Sequence, residues 1–159
     1  MLSGKTALVT GSNGGIGRAI IDTFIKNGAN LICAVRKADF EFSDYLSKKT
    51  KKPKQIVEIL EFDLEDEQDT KTKIQTLYKK NITLDILVNN AGITQDNLIL
   101  RMKESQWNDV ININLNSVFY LTKSIARHFL KNKQGKIINI TSVVGLIGNA
   151  GQSNYAASK

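Results

Sequence analysis

A glycine-rich turn between a strand-like and a helix-like segment constrains the fold of this chain most. Residues 5–10 form a short, largely apolar segment, as in a buried strand. Residues 18–27 follow a helical pattern, and Gly28 is expected to end that helix. Residues 30–35 form a second strand-like segment. The turn holds three glycines in the spacing Gly-x-x-x-Gly-x-Gly, namely Gly11, Gly15 and Gly17. A strand, a glycine turn, a helix and a strand within about thirty residues predict a parallel β-α-β unit.

Glycines at this place have a physical role beside a phosphate. Glycine adopts backbone angles that other residues resist, and it lets a pyrophosphate approach the N–H groups at a helix N-terminus. The β-α-β context therefore predicts a dinucleotide-binding site. The spacing differs from the more common Gly-x-Gly-x-x-Gly, and a glycine-rich surface turn is the alternative.

The residues after the second strand predict the form of the dinucleotide. Proteins that prefer NAD usually place a carboxylate there for the ribose 2′-hydroxyl, and that carboxylate would repel a 2′-phosphate. This chain has Arg36 and Lys37 instead. A guanidinium can bind a phosphate through two hydrogen bonds, so NADP(H) is favoured as the cofactor. The alternative is that Arg36 and Lys37 form a solvated pair in a loop.

The rest of the chain alternates between strand-like and helix-like segments. The predicted strands are residues 55–62, 84–89 and 136–141, and the predicted helices are residues 67–80 and, as one long helix, 105–131. This alternation predicts an α/β fold, a doubly wound parallel sheet with helices on both faces. With 159 residues, 42% of them hydrophobic, a single domain over residues 1–159 is expected.

Three polar residues late in the sequence predict proton-transfer chemistry. Tyr155 and Lys159 are four residues apart, which puts them on one face of a helix. Ser142 follows an apolar strand-like segment and can face them across a short loop. An ammonium group beside a phenol favours ionisation of the phenol and makes it a better proton donor. Alone, a Tyr-x-x-x-Lys pair is most often an ordinary turn of an amphipathic helix.

Together these motifs resemble the short-chain dehydrogenase/reductase family. The family's marks stand at residues 10–17, at Asn89-Asn90-Ala91-Gly92, and at Asn114, Ser142, Tyr155 and Lys159. Within the family, the chain resembles bacterial-type 3-oxoacyl-[acyl-carrier-protein] reductases in six segments: residues 92–98, 101–103, 107–109, 114–119, 142–145 and 148–155. The resemblance implies a Rossmann-like fold. It also implies NADPH-dependent reduction of a 3-oxoacyl thioester on acyl carrier protein to the 3-hydroxyacyl product, in fatty-acid synthesis.

The resemblance implies four catalytic residues, Asn114, Ser142, Tyr155 and Lys159. Tyr155 would give a proton to the substrate carbonyl oxygen as hydride arrives from the nicotinamide, and Ser142 would hydrogen-bond that oxygen. Lys159 would hold the nicotinamide ribose and favour ionisation of Tyr155. Asn114 would hold a water that links Lys159 to solvent.

The resemblance also implies a set of cofactor-binding residues. Asp63 would hydrogen-bond the adenine amine, whereas Asn89 would tie neighbouring strands together. The full set is Gly11, Ser12, Asn13, Gly15, Ile16, Gly17, Arg36, Asp63, Leu64, Asn90, Ala91, Gly92, Tyr155 and Lys159.

The net charge of +7 comes in part from a local cluster of basic residues. The basic run at residues 48–54 is predicted to be an exposed loop. It lacks interleaved aromatic residues and follows no nucleic-acid-binding motif, so no nucleic-acid partner is predicted. An acyl carrier protein is strongly acidic, and the resemblance implies that Lys131 and Lys133 face it.

Other residue types exclude further classes of protein. Cys33 lies in a strand-like segment and is expected to be buried and inert. A single cysteine forms no internal disulfide, as expected in the cytoplasm, or in an organelle stroma if a transit peptide was removed. His128 lies beside Arg127 on a predicted helix, and no metal site is predicted. No run approaches the ~20 apolar residues of a membrane span, so no membrane association is predicted.

The chain is shorter than members of the family it resembles. Residues 1–159 are therefore expected to be an incomplete domain that lacks C-terminal strands and exposes an apolar sheet edge. The complete protein is expected to be a homotetramer. Two alternatives stay open: another short-chain reductase that acts on a free alcohol, a sugar or a polyketide, and a non-catalytic dinucleotide-binding fragment.

Overall fold

The computed structural model of the chain describes residues 1–49 and 55–159. Its centre is a sheet of five parallel strands in the order β3-β2-β1-β4-β5. The strands are β1 (Thr6–Thr10), β2 (Asn30–Val35), β3 (Val57–Glu61), β4 (Ile86–Asn89) and β5 (Lys136–Asn139). β1 pairs with both β2 and β4, so the direction in which strands are added reverses at β1. The predicted parallel α/β sheet is confirmed.

Helices connect the strands. They are α1 (Gly15–Lys26), α2 (Phe40–Lys49), α3 (Glu67–Lys79), α4 (Glu104–Ile111), α5 (Ser117–Lys131), α6 (Val144–Ile147) and α7 (Ser153–Ser158). Lys48 and Lys49, predicted to be in a loop, form the last turn of α2, and the rest of that basic run lies outside the described residues. Across the two described ranges, no helix is both long enough and apolar enough to span a membrane.

The central strand sends alternate side chains into two hydrophobic clusters. Leu8 of β1 belongs to a buried cluster with Ile74 of α3 and Leu121 of α5. Val9 belongs to a second cluster, with residues of α1 and with Phe42 of α2. Successive side chains of a strand point to opposite faces of the sheet. The predicted placement of helices on both faces is therefore confirmed.

α1 begins inside the glycine turn, at Gly15, and ends at Lys26. Asn27 caps it, and Gly28 follows with a φ of 87°, in the left-handed region. The Gly28 N–H donates to the carbonyl oxygen of Ile25 over 3.0 Å. A left-handed glycine just past the last turn is a common end of a helix. The predicted stop at Gly28 is confirmed.

The single α-helix predicted over residues 105–131 is interrupted. One turn of π-helix, Asn112–Asn116, joins α4 to α5. There the Ser117 N–H donates to the carbonyl oxygen of Asn112, five residues back. π-Turns inside α-helices are rare and frequently lie at functional sites. The prediction of one regular helix is wrong at this turn, because contacts of Asn114 with distant segments hold a different geometry.

β5 forms an edge of the sheet beside β4. All four of its residues are exposed, with Ile137 at 42% and Ile138 at 43%. The Asn89 amide donates to the side-chain oxygen of Asn139 over 2.8 Å and so ties β4 to β5. The expected apolar edge and the expected role of Asn89 are both confirmed.

Candidate active site

The glycine turn lies at the carboxyl end of β1, against the loop that follows β4. Gly11 has a φ of 62°, and a Cβ added there would lie 2.9 Å from the Cα of Ala91. A Cβ on Gly17 would lie 2.2 Å from the carbonyl oxygen of Gly11. Neither position has room for a side chain, so both glycines are needed for the turn to close on itself and on the loop.

Gly15 differs from Gly11 and Gly17, because a Cβ there would have no atom within 4 Å. This open space adjoins a cavity of about 300 Å³ lined by Gly11, Asn13, Gly14, Gly15, Ile16, Gly17, Asn90, Ala91 and Gly92. α1 begins at this cavity, which places the unpaired N–H groups of its first turn beside it. The cavity therefore fits an anionic group such as a pyrophosphate.

A second cavity, of about 360 Å³, shares four lining residues with the first: Gly11, Asn13, Ala91 and Gly92. It extends to the carboxyl ends of β2 and β3, where its lining includes Val35, Arg36, Lys37, Phe62 and Leu64. Its apolar walls fit a flat ring, and the two cations fit a phosphate. Two adjoining cavities of this kind fit the pyrophosphate of a dinucleotide and its adenosine half with a phosphate on the ribose.

Most of the predicted binding residues line these cavities, but Ser12 and Asp63 have partners inside the protein. Ser12 is fully buried, and its hydroxyl donates to the carbonyl oxygen of Val9 over 2.6 Å. The Asp63 carboxylate accepts a hydrogen bond from the N–H of Glu65 over 3.0 Å. The contacts predicted between these two residues and a cofactor stay predictions.

Thr10, at the end of β1, has a role that the sequence does not reveal. Its hydroxyl accepts hydrogen bonds from the N–H groups of Asn90 and Ala91, over 2.9 and 3.0 Å. The Asn90 side chain donates back to the carbonyl oxygen of Thr10 over 2.9 Å. These bonds hold the loop after β4 against the glycine turn and so fix the width of the first cavity.

Tyr155 and Lys159 lie together near the end of α7. The Lys159 Nζ is 5.9 Å from the centre of the Tyr155 ring, and it donates to the carbonyl oxygen of Ile140 over 3.1 Å. The predicted shared face of Tyr155 and Lys159 is confirmed by this distance. Lys159 is half-buried, and burial lowers the pKa of its ammonium below the ordinary value. A partly desolvated ammonium interacts more strongly with neighbouring negative charge.

Ser142 follows β5, in the loop that leads to α6. Its Oγ accepts a hydrogen bond from the N–H of Val144 over 3.2 Å, which leaves the hydroxyl hydrogen able to donate. A Cβ on Gly145 would lie 2.7 Å from the main-chain carbonyl carbon of Lys159. The absence of a side chain at Gly145 therefore allows α6, which follows the Ser142 loop, to approach the end of α7, which carries Tyr155.

Asn114, in the π-turn, is 3% exposed and bound on two sides. Its Oδ1 accepts from the N–H of Ile93 over 2.8 Å. Its Nδ2 donates to the Ile93 carbonyl oxygen and to the Ser158 hydroxyl, each over 2.9 Å. The π-turn is thereby tied to the loop after β4 and to α7. The role of Asn114 in holding a water stays a prediction.

Asn154 is a buried polar residue beside Tyr155 that the sequence analysis did not select. Its Nδ2 donates to the carbonyl oxygens of Gln95 and Gln106, over 2.9 and 3.0 Å. Its Oδ1 accepts from the Tyr155 N–H over 2.8 Å. Asn154 therefore joins α7 to α4 and to the loop after β4. Its one sequence signal is its position next to Tyr155.

Comparison with known proteins decides the family. The sequence profile of short chain dehydrogenases matches residues 5–159. The chain belongs to the short-chain dehydrogenase family. Within this family, the chain is similar to proteins named 3-oxoacyl-[acyl-carrier-protein] reductase FabG.

Three such relatives show the extent of the similarity. The protein from Vibrio harveyi is 42% identical over 160 residues, which are 99% of this chain and 63% of the relative. The Salmonella typhimurium protein is 45% identical over 158 residues, 98% of this chain and 62% of the relative. The Escherichia coli protein is 44% identical over 158 residues, with the same two shares. The chain thus spans 62–63% of the length of these curated relatives.

Proposed function

We propose that the protein containing this chain is an NADPH-dependent 3-oxoacyl-[acyl-carrier-protein] reductase of fatty-acid synthesis. The main support is that Lys159, which lies beside Tyr155, approaches the cleft made by the two cavities. The Lys159 Nζ is 3.4 Å from the position of a Cβ on Gly92, and Gly92 lines both cavities. A proton donor beside a dinucleotide cleft is the arrangement that carbonyl reduction requires.

The residues of the cleft would each have a defined task. The chemistry that NADPH supplies when bound is the transfer of a hydride. The glycine turn would bind the pyrophosphate through N–H groups, and Arg36 would bind the 2′-phosphate. Tyr155 would give its proton to the carbonyl oxygen of the substrate, and Lys159 would stabilise the phenolate that remains. Ser142 would donate a hydrogen bond to the same oxygen and so stabilise its developing negative charge.

An apolar margin beside α7 supports an acyl substrate. The loop after β4 is bound to the segment before α7, since the Asn97 N–H donates to the Gly151 carbonyl oxygen over 2.9 Å. Exposed apolar side chains lie on this loop and on α6: Leu98, Ile99, Leu100, Leu146 and Ile147. Apolar side chains suit a hydrocarbon chain better than a sugar. The names of the relatives point to the same class of substrate.

The carrier is the other part of the proposal. Lys131 and Lys133 are exposed at the end of α5, where a basic surface would complement an acidic acyl carrier protein. A homotetramer, a cytoplasmic or stromal location and a single domain over residues 1–159 belong to the same proposal. The single domain rests on the length and composition of the chain, and the homotetramer rests on the resemblance.

The test is steady-state turnover by the native protein of a 3-oxoacyl chain on acyl carrier protein, followed by nicotinamide absorbance. We expect faster turnover with NADPH than with NADH, and a 3-hydroxyacyl product by mass spectrometry. A free ketone and a keto sugar serve as controls. If either control is reduced faster than the thioester, another short-chain reductase replaces this proposal; if no dinucleotide binds in a titration, the proposal fails at its first step.

A further inference from the structure

Arg36, the predicted ligand of a 2′-phosphate, has an acidic partner within the chain. Its Nη2 donates to the Oε2 of Glu65 over 3.2 Å. The Arg36 side chain is 66% exposed and the Glu65 side chain 32% exposed. Arg36 lines the second cavity, and Glu65 follows Leu64, which also lines it. A carboxylate thus stands at the rim where a cation is expected to meet the phosphate.

The geometry of this ion pair leaves Arg36 able to bind a second anion. The contact runs between one guanidinium nitrogen and one carboxylate oxygen, whereas a guanidinium has five N–H donors. A 2′-phosphate on the remaining donors would lie close to the Glu65 carboxylate. The two anions would repel each other, and each would compete for the same cation.

Glu65 has the opposite relation to a ribose that lacks the phosphate. A carboxylate at the carboxyl edge of the sheet is the usual acceptor for a ribose 2′-hydroxyl. In this chain the residue that follows β2 is Arg36, and the carboxylate comes instead from the segment after β3, the next strand in the sheet. The rim therefore presents a cation for a phosphate and a carboxylate for a hydroxyl.

We propose that Glu65 is a specificity-determining residue that weakens binding of the 2′-phosphate and so narrows the preference for NADP(H) over NAD(H). The inference rests on the proposed use of a dinucleotide. Arg36 and Glu65 would set the preference for NADP(H) over NAD(H) together, and Arg36 without Glu65 would give a stronger preference.

The test uses two fragments of the cofactor in place of turnover. Adenosine 2′,5′-bisphosphate carries the 2′-phosphate, and adenosine 5′-monophosphate lacks it. Calorimetric titration of the native protein is compared with that of Glu65→Gln, Arg36→Gln and the double variant. Glu67→Gln is the matched control, because it removes the same charge from a glutamate that pairs with Lys123 on α5.

Glu65→Gln is expected to increase the affinity for the bisphosphate about two- to fivefold, which is the effect of one exposed ion pair. The affinity for the monophosphate should stay unchanged or fall. Arg36→Gln should lower the affinity for the bisphosphate. In the double variant, Glu65→Gln should have no further effect on this affinity, since the two residues act on the phosphate together. Glu67→Gln should change neither ligand.

Weaker or unchanged binding of the bisphosphate by Glu65→Gln would overturn the inference, and would mean that Glu65 orients Arg36 or has no part in recognition. An equal gain in Glu67→Gln would overturn it as well, since only total charge would then matter. If the wild-type protein binds neither fragment, the proposed function fails, which is distinct from the failure of Glu65 to discriminate.

Discussion

Cys33 shows how burial inside the sheet changes the chemistry of a side chain. It lies in β2 with its side chain fully buried. Burial raises the pKa of its thiol to about 12, although a hydrogen bond with Ser12 acts in the opposite direction. The thiolate is the reactive form of cysteine, so the folded protein holds Cys33 in its unreactive form.

We expect iodoacetamide to leave Cys33 unlabelled in the folded protein near pH 8 and to label it after unfolding in urea. Because the folded pKa lies above the ordinary value of 9.0, the stability gained from the neutral thiol is complete below about pH 9 and is lost as the pH rises toward 12. Peptide mass spectrometry locates the label, and urea unfolding at rising pH measures the loss. Rapid labelling of the folded protein would contradict the burial of Cys33.

Tyr155→Phe should remove chemistry more than binding. The change deletes one hydroxyl and keeps the ring, so the cleft should survive. General acid catalysis is typically worth about 10²–10⁴-fold, and kcat is expected to fall by that factor with little change in NADPH affinity. Steady-state kinetics and a fluorescence titration of NADPH measure the two effects.

Two further variants are compared with Tyr155→Phe. Lys159→Ala should reduce both kcat and NADPH affinity, because Lys159 is proposed to bind ribose as well as to assist the phenol. Tyr120→Phe makes the same deletion on α5 and should change neither. A Tyr155→Phe protein with near-normal kcat would remove Tyr155 from the mechanism.

At the scale of elements, what could be predicted is what is local in sequence. The strands, the glycine turn, the stop at Gly28 and the pairing of Tyr155 with Lys159 all depend on neighbours within a few positions. The π-turn does not, because Asn114 is held by Ile93 and Ser158, which are 21 and 44 residues away. Nor do the contacts of Thr10 with Asn90, at a separation of 80 residues, or of Arg36 with Glu65, at 29. Long-range partners of this kind leave no periodic signal.

Asn154→Ala tests whether α7 depends on those long-range bonds. The variant removes the donor to the carbonyl oxygens of Gln95 and Gln106, and the loss of a hydrogen bond of this kind costs about 0.5–1.5 kcal/mol each. We expect a lower thermal midpoint and a kcat that falls further than NADPH affinity, because Tyr155 shifts while the glycine turn does not.

Asn149→Ala is the matched control for Asn154→Ala. Asn149 is exposed and hydrogen-bonds the Gln152 side chain, so its loss should cost little. Equal effects of the two substitutions on the thermal midpoint and on kcat would show that the buried bonds of Asn154 do not position Tyr155.

At the scale of the whole molecule, the net charge of +7 is spread over surfaces with different expected uses. Several lysines pair with exposed carboxylates, such as Lys48 with Asp44 and Lys123 with Glu67. Exposed pairs of this kind contribute little to stability. Lys131 and Lys133, at the end of α5, are the basic residues proposed to meet an acidic partner.

Lys133→Glu should therefore weaken turnover of a carrier-linked substrate and spare a small thioester analogue. Reversing one rim charge changes association more than chemistry, so the effect is expected in kcat/KM and to diminish with salt. Lys26→Glu, an exposed lysine at the end of α1, makes the same charge change elsewhere and is the control. An equal loss with both substrates would show that Lys133 does not recognise the carrier.

The order of strands in the sheet has a consequence for how the protein is made. β1 pairs first along the chain with β2, but its other neighbour, β4, begins at Ile86. During synthesis from the N-terminus, the glycine turn is complete after Gly17, whereas the opposite wall of the cavity, through Gly92, emerges about 75 residues later. A nascent chain with only the first half of the sheet has the glycine turn without the cleft around it. Retention on an immobilised dinucleotide would therefore separate chains that have joined the two halves from those that have not.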